Sequence, residues 1–405
     1  MGKTVVEINT ADYGSTGKIM LQIADCGERN GMSVYTVSRK WRGKQLPKRK
    51  KHLFVGSFAE NGLHHVLSTL TGADGCFTTV GTRKLIRQLR KLKPDIIHLH
   101  NLHSWYINLP LLFRYIKEEH IPVIWTLHDC WAFTGHCPHF EMAGCGKWES
   151  ACRECPQYRR YPASLTDNAK KMFRRKKKWY GELENLTIVT PSEWLAGLAR
   201  RSFLGKYPVK VINNGIDLDV FKPTQSDFRE RHGIKPDQKL LLGVAFGWGR
   251  RKGLDVFVEL ARRLDPTVYR IVLVGTDDET DRQLPEGVIS IHRTQNQTEL
   301  AGIYTVADLF VNPTREEVFG LVNVEALACG TPGVTFASGG SPECYDETCG
   351  SVVPKDDVDA MEREIRRICE QKPFETENCY RRAQAYKQNV KFMEYIRLYQ
   401  SFIED

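Results

Sequence analysis

Glu317 and Glu325 lie in the run Val311-Asn312-Pro313-Thr314-Arg315-Glu316-Glu317-Val318-Phe319-Gly320-Leu321-Val322-Asn323-Val324-Glu325. An apolar strand here passes into a polar loop, and the pattern predicts a helix opening at about Gly320. The N–H groups of a first helical turn have no intrahelical partner and carry the positive end of the helix dipole. The amides of Phe319, Gly320, Leu321 and Val322 therefore form a ready cradle for a diphosphate. Glu317, just before the helix, can reach past such a phosphate. Glu325, more than one turn inside, can reach the opposite side, where a ribose would lie. Downstream, Gly339-Gly340-Ser341-Pro342-Glu343 predicts a flexible loop followed by a rigid turn.

Further candidates sit at other predicted strand ends. Arg250-Arg251-Lys252-Gly253 supplies fork and point-charge cations suited to phosphate. Asp12-Tyr13-Gly14-Ser15-Thr16-Gly17-Lys18 follows the first predicted strand and opens a helix, with a spacing that fits neither a Walker loop nor a dinucleotide fingerprint. His128-Asp129 ends another strand, where an imidazole could contact a sugar hydroxyl or donate to developing charge. His98, His100, Asn101 and His103 end the strand before it and could line an acceptor side. The chain has 12 cysteines, of which Cys137, Cys145, Cys152 and Cys155 form a C-x7-C-x6-C-x2-C array. Such clustering in a reducing compartment points to metal, and the last pair has the spacing that lets two thiolates grip one ion. Four thiolates would make a closed structural zinc site. His136 or His139 replacing one thiolate, and free thiols or disulfides, remain alternatives.

Two runs of alternating strand and helix position these residues, each the pattern of a doubly wound parallel sheet. Strands are predicted at 5–8, 33–37, 95–100, 122–127 and 186–190, then at 209–212, 240–245, 270–274, 288–292, 308–311 and 333–336. Helices are predicted at 18–28, 82–92, 254–263, 298–306, 322–329 and, as one long amphipathic element, 381–403. Residues 131–165, rich in Cys, His, Gly and Pro, fit neither pattern and read as an insert. The expected domains are 1–192, containing that insert, and 193–380. Residues 381–405 are expected to pack back on the first. Open parallel sheets bind ligands at their carboxyl edges, so two in tandem predict a cleft between those edges.

With these flanks, Glu317-x7-Glu325, the Glu325-Ala326-Leu327-Ala328-Cys329-Gly330-Thr331-Pro332 run and Gly339-Gly340-x-Pro342-Glu343 resemble the retaining glycosyltransferases of family 4, which have the GT-B fold. Asn213-Asn214-Gly215-Ile216-Asp217 and Phe221-Lys222-Pro223 resemble the start of that family's donor domain. The resemblance implies that Lys252 and Arg251 (or Arg250) clamp the donor diphosphate, that Gly14 and Gly17 let backbone approach it, and that His128 contacts the donor sugar. It implies Glu317 on the sugar hydroxyls, Glu325 on the ribose, and Tyr13, Asn101 and His103 on the acceptor side. The chain departs from the family where an arginine is usual and Phe246 stands. The insert resembles that of capsule and colanic-acid-type polysaccharide enzymes. The implied reaction moves a sugar from a UDP- or GDP-sugar to a glycan or lipid-linked glycan hydroxyl with retention, no cofactor being required for the chemistry. A GT-B epimerase or phosphorylase and a non-catalytic zinc-stapled carbohydrate-binding protein are the alternatives.

The 405 residues are 41% hydrophobic and 10% aromatic, with a mean hydropathy of -0.40. Collagenous, disordered and integral-membrane classes are thereby excluded. The N-terminus runs directly into a strand pattern and leaves no room for a signal peptide, so a cytoplasmic protein is expected. The net charge of +9 divides unevenly, +14 over residues 1–190 and −5 over the remainder. Two basic runs stand out: 48–51, and 170–178 followed by Trp179-Tyr180. The second is either a solvated helix face or a patch for an anionic membrane surface, which would make the protein peripheral on the inner face of the cell membrane. No nucleic-acid module accompanies either run, and no nucleic-acid partner is expected.

Overall fold

The apolar runs assemble into two parallel sheets in the computed structural model, which describes residues 2–41 and 49–402. The first sheet is built from β1 (Thr4–Ile8), β2 (Ser33–Arg39), β3 (His52–Val55), β4 (Ile96–Leu99), β5 (Val123–Thr126), β6 (Leu186–Thr190) and β7 (Val209–Val211). Their order is β3-β2-β1-β4-β5-β6-β7. The second contains β8 (Lys239–Val244), β9 (Tyr269–Val274), β10 (Ile289–Ile291), β11 (Leu309–Asn312), β12 (Gly333–Phe336) and β13 (Gly350–Val353), in the order β10-β9-β8-β11-β12-β13. Central strands such as β4, β5, β11 and β12 are buried throughout, as strands covered on both faces must be.

The chain divides into two compact units, Met1–Ile212 with Phe392–Asp405, and Asn213–Lys391. The division therefore falls after β7 and not at 192. β7, expected to open the second half, pairs with β6 through Ile188, Val189 and Thr190 and closes the first sheet. The strands β3 and β13 have no counterpart among the sequence predictions. Like β7 they are sheet edges, short and only partly buried, so they lack the continuous apolar run that marks a central strand.

The helix expected over 381–403 is two helices, Thr376–Gln384 and Gln388–Ser401. The break has a local cause. The Ile216 N–H donates to the Tyr386 carbonyl at 2.8 Å and the Gln388 N–H donates back to the Ile216 carbonyl at 2.9 Å, which draws Lys387 into a strand-like bridge. Past the break, Phe392, Tyr395, Ile396, Leu398 and Tyr399 join Val5, Ile23, Val34 and Ile124 in the core of the first unit.

The two basic runs have different fates. Lys48 lies outside the described residues, while Arg49 pairs with Asp25 and Glu28. The second run forms the helix Ala169–Tyr180, but Lys176 is fully buried and does not belong to the charged face. Its ammonium donates to the Trp131 carbonyl at 2.6 Å and the Thr134 carbonyl at 3.1 Å and lies 3.2 Å from the Trp131 ring centroid. Burial lowers its pKa to about 7. The insert thus hangs on a buried cation. Its own small core is Phe133, Phe140 and Trp148, in ring contact. Among the described residues no helix is long and apolar enough to cross a membrane.

Candidate active site

In the second unit, β11 ends at Asn312 and the chain reaches the helix Leu321–Ala328 through a loop over 313–320. Arg315, which the sequence reading did not single out, holds that loop. Its buried guanidinium forks onto Asp255 at 2.7 and 2.9 Å, pairs with Asp356, and donates to the Arg250 carbonyl at 2.5 Å. The Arg315 N–H donates to the Arg251 carbonyl at 2.9 Å. The loop is thereby stitched to the turn Arg250–Lys252, and the Lys252 Nζ sits 2.5 Å from the Glu317 Oε2. The predicted cation and the predicted sugar-side carboxylate are one ion pair. Arg251 is exposed, with its guanidinium 3.4 Å from the Glu316 carbonyl.

The 338–341 loop crosses directly over Glu317. The Gly340 N–H donates to the Glu317 carbonyl at 2.9 Å. At Gly339 φ is +58°, and a Cβ there would lie 1.7 Å from the same carbonyl oxygen, so no other residue fits. Asn323 ties this loop to the helix. It accepts from the Asn312 side chain at 2.7 Å and donates to the Ser341 hydroxyl at 2.8 Å, in a wholly buried network completed by Thr335. Gly320 stands at the helix N-cap with φ +88°, Leu321 and Val322 are partly exposed in the first turn, and Phe319 is buried beside them. Glu325, on the same helix, accepts from the Tyr304 hydroxyl at 3.1 Å. Burial and the adjacent Glu325 raise the Tyr304 pKa well above the ordinary phenol range, which keeps that donor protonated. Phe246, at the position of the usual arginine, is fully exposed.

The first unit holds a separate group of the predicted residues. His128 follows β5, and its Nε2 lies 3.0 Å from the His100 Nδ1 with the rings stacked. Burial lowers the His128 pKa to about 4, so the ring is neutral near pH 7. Behind it, His98 contacts the Tyr399 hydroxyl at 2.6 Å and the Thr126 hydroxyl at 2.8 Å, and His100 lies 3.6 Å from Glu7. His98 and His100 are thus buried core groups rather than exposed acceptor contacts. His103 is also committed, to Asp129 at 2.9 Å and to Ser104 and Tyr161. Burial pushes the Asp129 pKa up, but the charge and hydrogen bond of His103 outweigh it and bring it to about 2. The Asn101 N–H donates to Asn9, whose amide in turn holds the Ala11 carbonyl and the Thr16 hydroxyl. Asn9 therefore fixes the glycine loop against the end of β4. Gly14 opens the helix Gly14–Arg29 with Tyr13 as its exposed N-cap, whereas a Cβ on Gly17 would collide with the Ala11 and Asp12 backbone. The need for glycine at position 17 is internal to the fold.

All four insert cysteines are free. Cys137 and Cys155 act on each other, which lowers the Cys155 pKa and raises that of Cys137. Cys152 is buried and accepts from the Gly135 N–H at 3.2 Å. The four-sulfur donor set, with the Gly135 N–H held against the Cys152 sulfur, suits zinc. The sulfurs are spread more widely than a bound ion would hold them: no three lie within 4.8 Å of one another, against about 3.8 Å on a tetrahedral zinc with 2.3 Å bonds.

A profile described as Glycosyltransferase Family 4 matches residues 16–220, just over half of the chain. The chain belongs to glycosyltransferase family 4. A second profile, Glycosyl transferases group 1, matches residues 238–371 of this glycosyltransferase. Over 322 residues it is 25% identical to WcaC of Escherichia coli K12, named as a colanic acid biosynthesis glycosyl transferase, covering 77% of this chain and 78% of that one. Over 168 residues it is 33% identical to the D-inositol 3-phosphate glycosyltransferase of Mycobacterium marinum, covering 37% and 35% of the two chains. Its two units match GT-B structures. Sucrose-phosphate synthase from Thermosynechococcus elongatus superposes with a TM-score of 0.72 at 18% identity over 99% of both chains. Alr3699/HepE from Anabaena, solved with UDP and glucose, gives 0.69 at 14% identity over 98% and 99%.

Proposed function

We propose that this glycosyltransferase moves a sugar from a UDP- or GDP-sugar to a hydroxyl of a glycan or lipid-linked glycan in polysaccharide biosynthesis, with retention at the anomeric carbon. The observation that carries the reading is the Lys252–Glu317 ion pair at 2.5 Å beside the N-terminus of the helix Leu321–Ala328. A cation and a row of helix amides are the groups a departing diphosphate needs, and the carboxylate next to them can hold sugar hydroxyls. Glu325, oriented by Tyr304, takes the ribose hydroxyls. Arg251 supplies a second, exposed cation. Neutral His128 is assigned to the donor sugar, and Tyr13 and Asn101 to the acceptor. The bond from the anomeric carbon to the diphosphate oxygen breaks with its electron pair leaving on that oxygen. The acceptor oxygen bonds to the same face of the carbon, and its proton passes to the departing phosphate. HepE, solved with UDP and glucose, and WcaC, named for colanic acid biosynthesis, point to the same donor and acceptor classes.

Nucleotide binding tests the donor half. UDP or GDP is expected to raise the melting temperature, and Glu325→Ala is expected to weaken that nucleotide about 10-fold, the value of one hydrogen bond to a charged group. Unchanged affinity in Glu325→Ala would remove the ribose assignment. Retention is read separately, from the anomer released when the donor sugar is hydrolysed.

The insert is assigned one structural zinc held by Cys137, Cys145, Cys152 and Cys155. Four protein ligands leave no open position, so the ion would brace the insert and supply no catalytic chemistry. Elemental analysis of protein purified without added metal is expected to give about one zinc per chain. Four rapidly titrating thiols and no zinc would reject the assignment.

A further inference from the structure

The helix Phe58–Thr71 is amphipathic in the inverted sense. Asn61, His64 and Ser68 face inward and are buried, while Phe58, Leu63, Val66 and Leu70 face solvent at 45%, 58%, 54% and 51% exposure. At 100° per residue, positions 58, 59, 62, 63, 66, 69 and 70 fall within one arc of about 140°, and none of them is charged.

Polar groups hold this orientation. The Gly75 N–H donates to the His64 Nε2 at 3.1 Å, so the neutral ring carries its proton on Nδ1 and donates to the Thr78 hydroxyl at 2.6 Å. The Thr78 hydroxyl donates to the Asn61 side-chain Oδ1 at 3.5 Å, and the Asn61 side-chain Nδ2 donates to the Val55 carbonyl at 3.3 Å. The chain of donors runs one way and leaves no ambiguity in the histidine tautomer. Rotating the helix to bury its apolar face would break every link. The fold therefore commits the apolar face to the outside, where such a stripe marks a contact with another apolar phase.

A basic surface adjoins it. The C-terminal end of the helix is stitched to the strap before the helix Ala169–Tyr180: the Leu165 N–H donates to the Thr69 carbonyl at 2.7 Å, and the Thr166 hydroxyl to the Leu70 carbonyl at 2.8 Å. Leu165 is itself 68% exposed and extends the apolar stripe toward the basic helix. Lys170, Lys171, Arg174, Arg175 and Lys178 line an open groove there, and among the described residues Lys170, Lys171 and Arg174 make no ion pair. Buried Lys176 contributes nothing to this face.

We infer that the outer face of Phe58–Thr71 and the exposed cations of Ala169–Tyr180 form one docking surface for an anionic lipid bilayer. Phe58, Leu63, Val66 and Leu70 enter the boundary between headgroups and acyl chains, and Lys170, Lys171 and Arg174 meet the anionic headgroups. An anionic bilayer is the partner that offers both phases side by side. The basic residues supply a salt-sensitive attraction and the apolar stripe a salt-resistant one. The surface places the enzyme where a lipid-linked acceptor would be, and it does not depend on which donor is used.

Two variants separate the contributions: Leu63→Ser/Val66→Ser/Leu70→Ser, and Lys170→Gln/Lys171→Gln/Arg174→Gln. All six positions are exposed, and an unchanged melting temperature verifies the fold. Sedimentation is measured with vesicles of phosphatidylcholine alone and with 30% phosphatidylglycerol (about one lipid in three), over a salt titration. The parent is expected to bind only the anionic vesicles and to keep part of its binding at high salt. The serine variant is expected to lose that salt-resistant part and to bind about 10-fold more weakly at low salt. The glutamine variant is expected to lose most of the low-salt binding. A serine variant with the parent's partitioning and salt dependence overturns the inference. So does a parent that fails to bind either vesicle. A parent that self-associates through the stripe, with the serine variant monomeric, also overturns it in favour of a second copy. The nucleotide-induced melting shift of both variants, which only the donor site controls, keeps this outcome apart from that of the proposed reaction.

Discussion

Alanine at Lys252 is expected to weaken binding of the nucleoside diphosphate by about 10–100-fold, whereas alanine at Glu317 is expected to lower turnover by about 100-fold while leaving nucleotide affinity nearly intact. In the protein without nucleotide the two side chains are 2.5 Å apart and about four-fifths buried, so each is the other's main compensation. On the proposed roles, a bound diphosphate would offer Lys252 a more strongly charged partner and release Glu317 toward the sugar. On those roles, removing Lys252 would delete a charge-assisted contact to phosphate and leave a largely buried carboxylate facing it, two penalties of the same sign. Removing Glu317 frees Lys252, so the diphosphate loses nothing, and only the hydroxyl contacts that orient the sugar disappear. The effects should not add, because the two residues are in direct contact. Titration of free nucleotide and steady-state turnover on the two single variants and the double variant check this. Equal losses of nucleotide affinity in both single variants would show that the pair acts only as a structural bridge.

The second large effect is on stability and concerns adjacent lysines. Lys176→Met is expected to destabilise the first unit by about 2–4 kcal/mol, because the Trp131 and Thr134 carbonyls lose the ammonium that donates to them in a buried site and each unpaired carbonyl costs about 1–3 kcal/mol, offset in part by no longer burying a cation. Lys177→Ala, one residue on and exposed, is expected to change stability by no more than about 0.5 kcal/mol. Denaturant midpoints measured at a common slope give both values. A Lys176→Met midpoint equal to the parent's would show that the insert does not hang on this ammonium.

The contrast between Lys176 and its neighbours marks the limit of reading the sequence. A run of seven basic residues over 170–178 carries no mark that one of them points inward. Its environment is made by the insert, forty residues earlier in the chain, which has no periodic pattern of its own. The same limit applies to Phe58–Thr71, a helix absent from the sequence predictions, where only the buried Asn61 and His64 show which side is inward. Edge strands β3 and β13 were illegible because half-covered strands lack a continuous apolar run. In contrast, the central strands and the helix after β11 were legible, since burial on both faces demands β-branched and aliphatic runs bounded by glycine and polar turns. Of the residues proposed for the donor, Glu317, Glu325 and Lys252 were legible as motif, but their support was not. Arg315 sits inside a charged triplet, and only the structure shows it bridging Asp255, Asp356 and the Arg250 carbonyl. Asn323 and Tyr304 likewise act through contacts far apart in sequence.

The central claim is that Lys252, Glu317, Glu325 and the first turn of Leu321–Ala328 bind and activate a nucleotide sugar. The most direct measurement is release of nucleoside diphosphate from a panel of UDP- and GDP-sugars without added acceptor, with Glu317→Ala and Lys252→Ala in parallel. Slow release from at least one donor, reduced about 100-fold in Glu317→Ala and reduced in Lys252→Ala with a raised half-saturating donor concentration as well as a lower rate at saturation, is the predicted result. Absence of release from every donor, together with no melting shift from UDP or GDP, would contradict it.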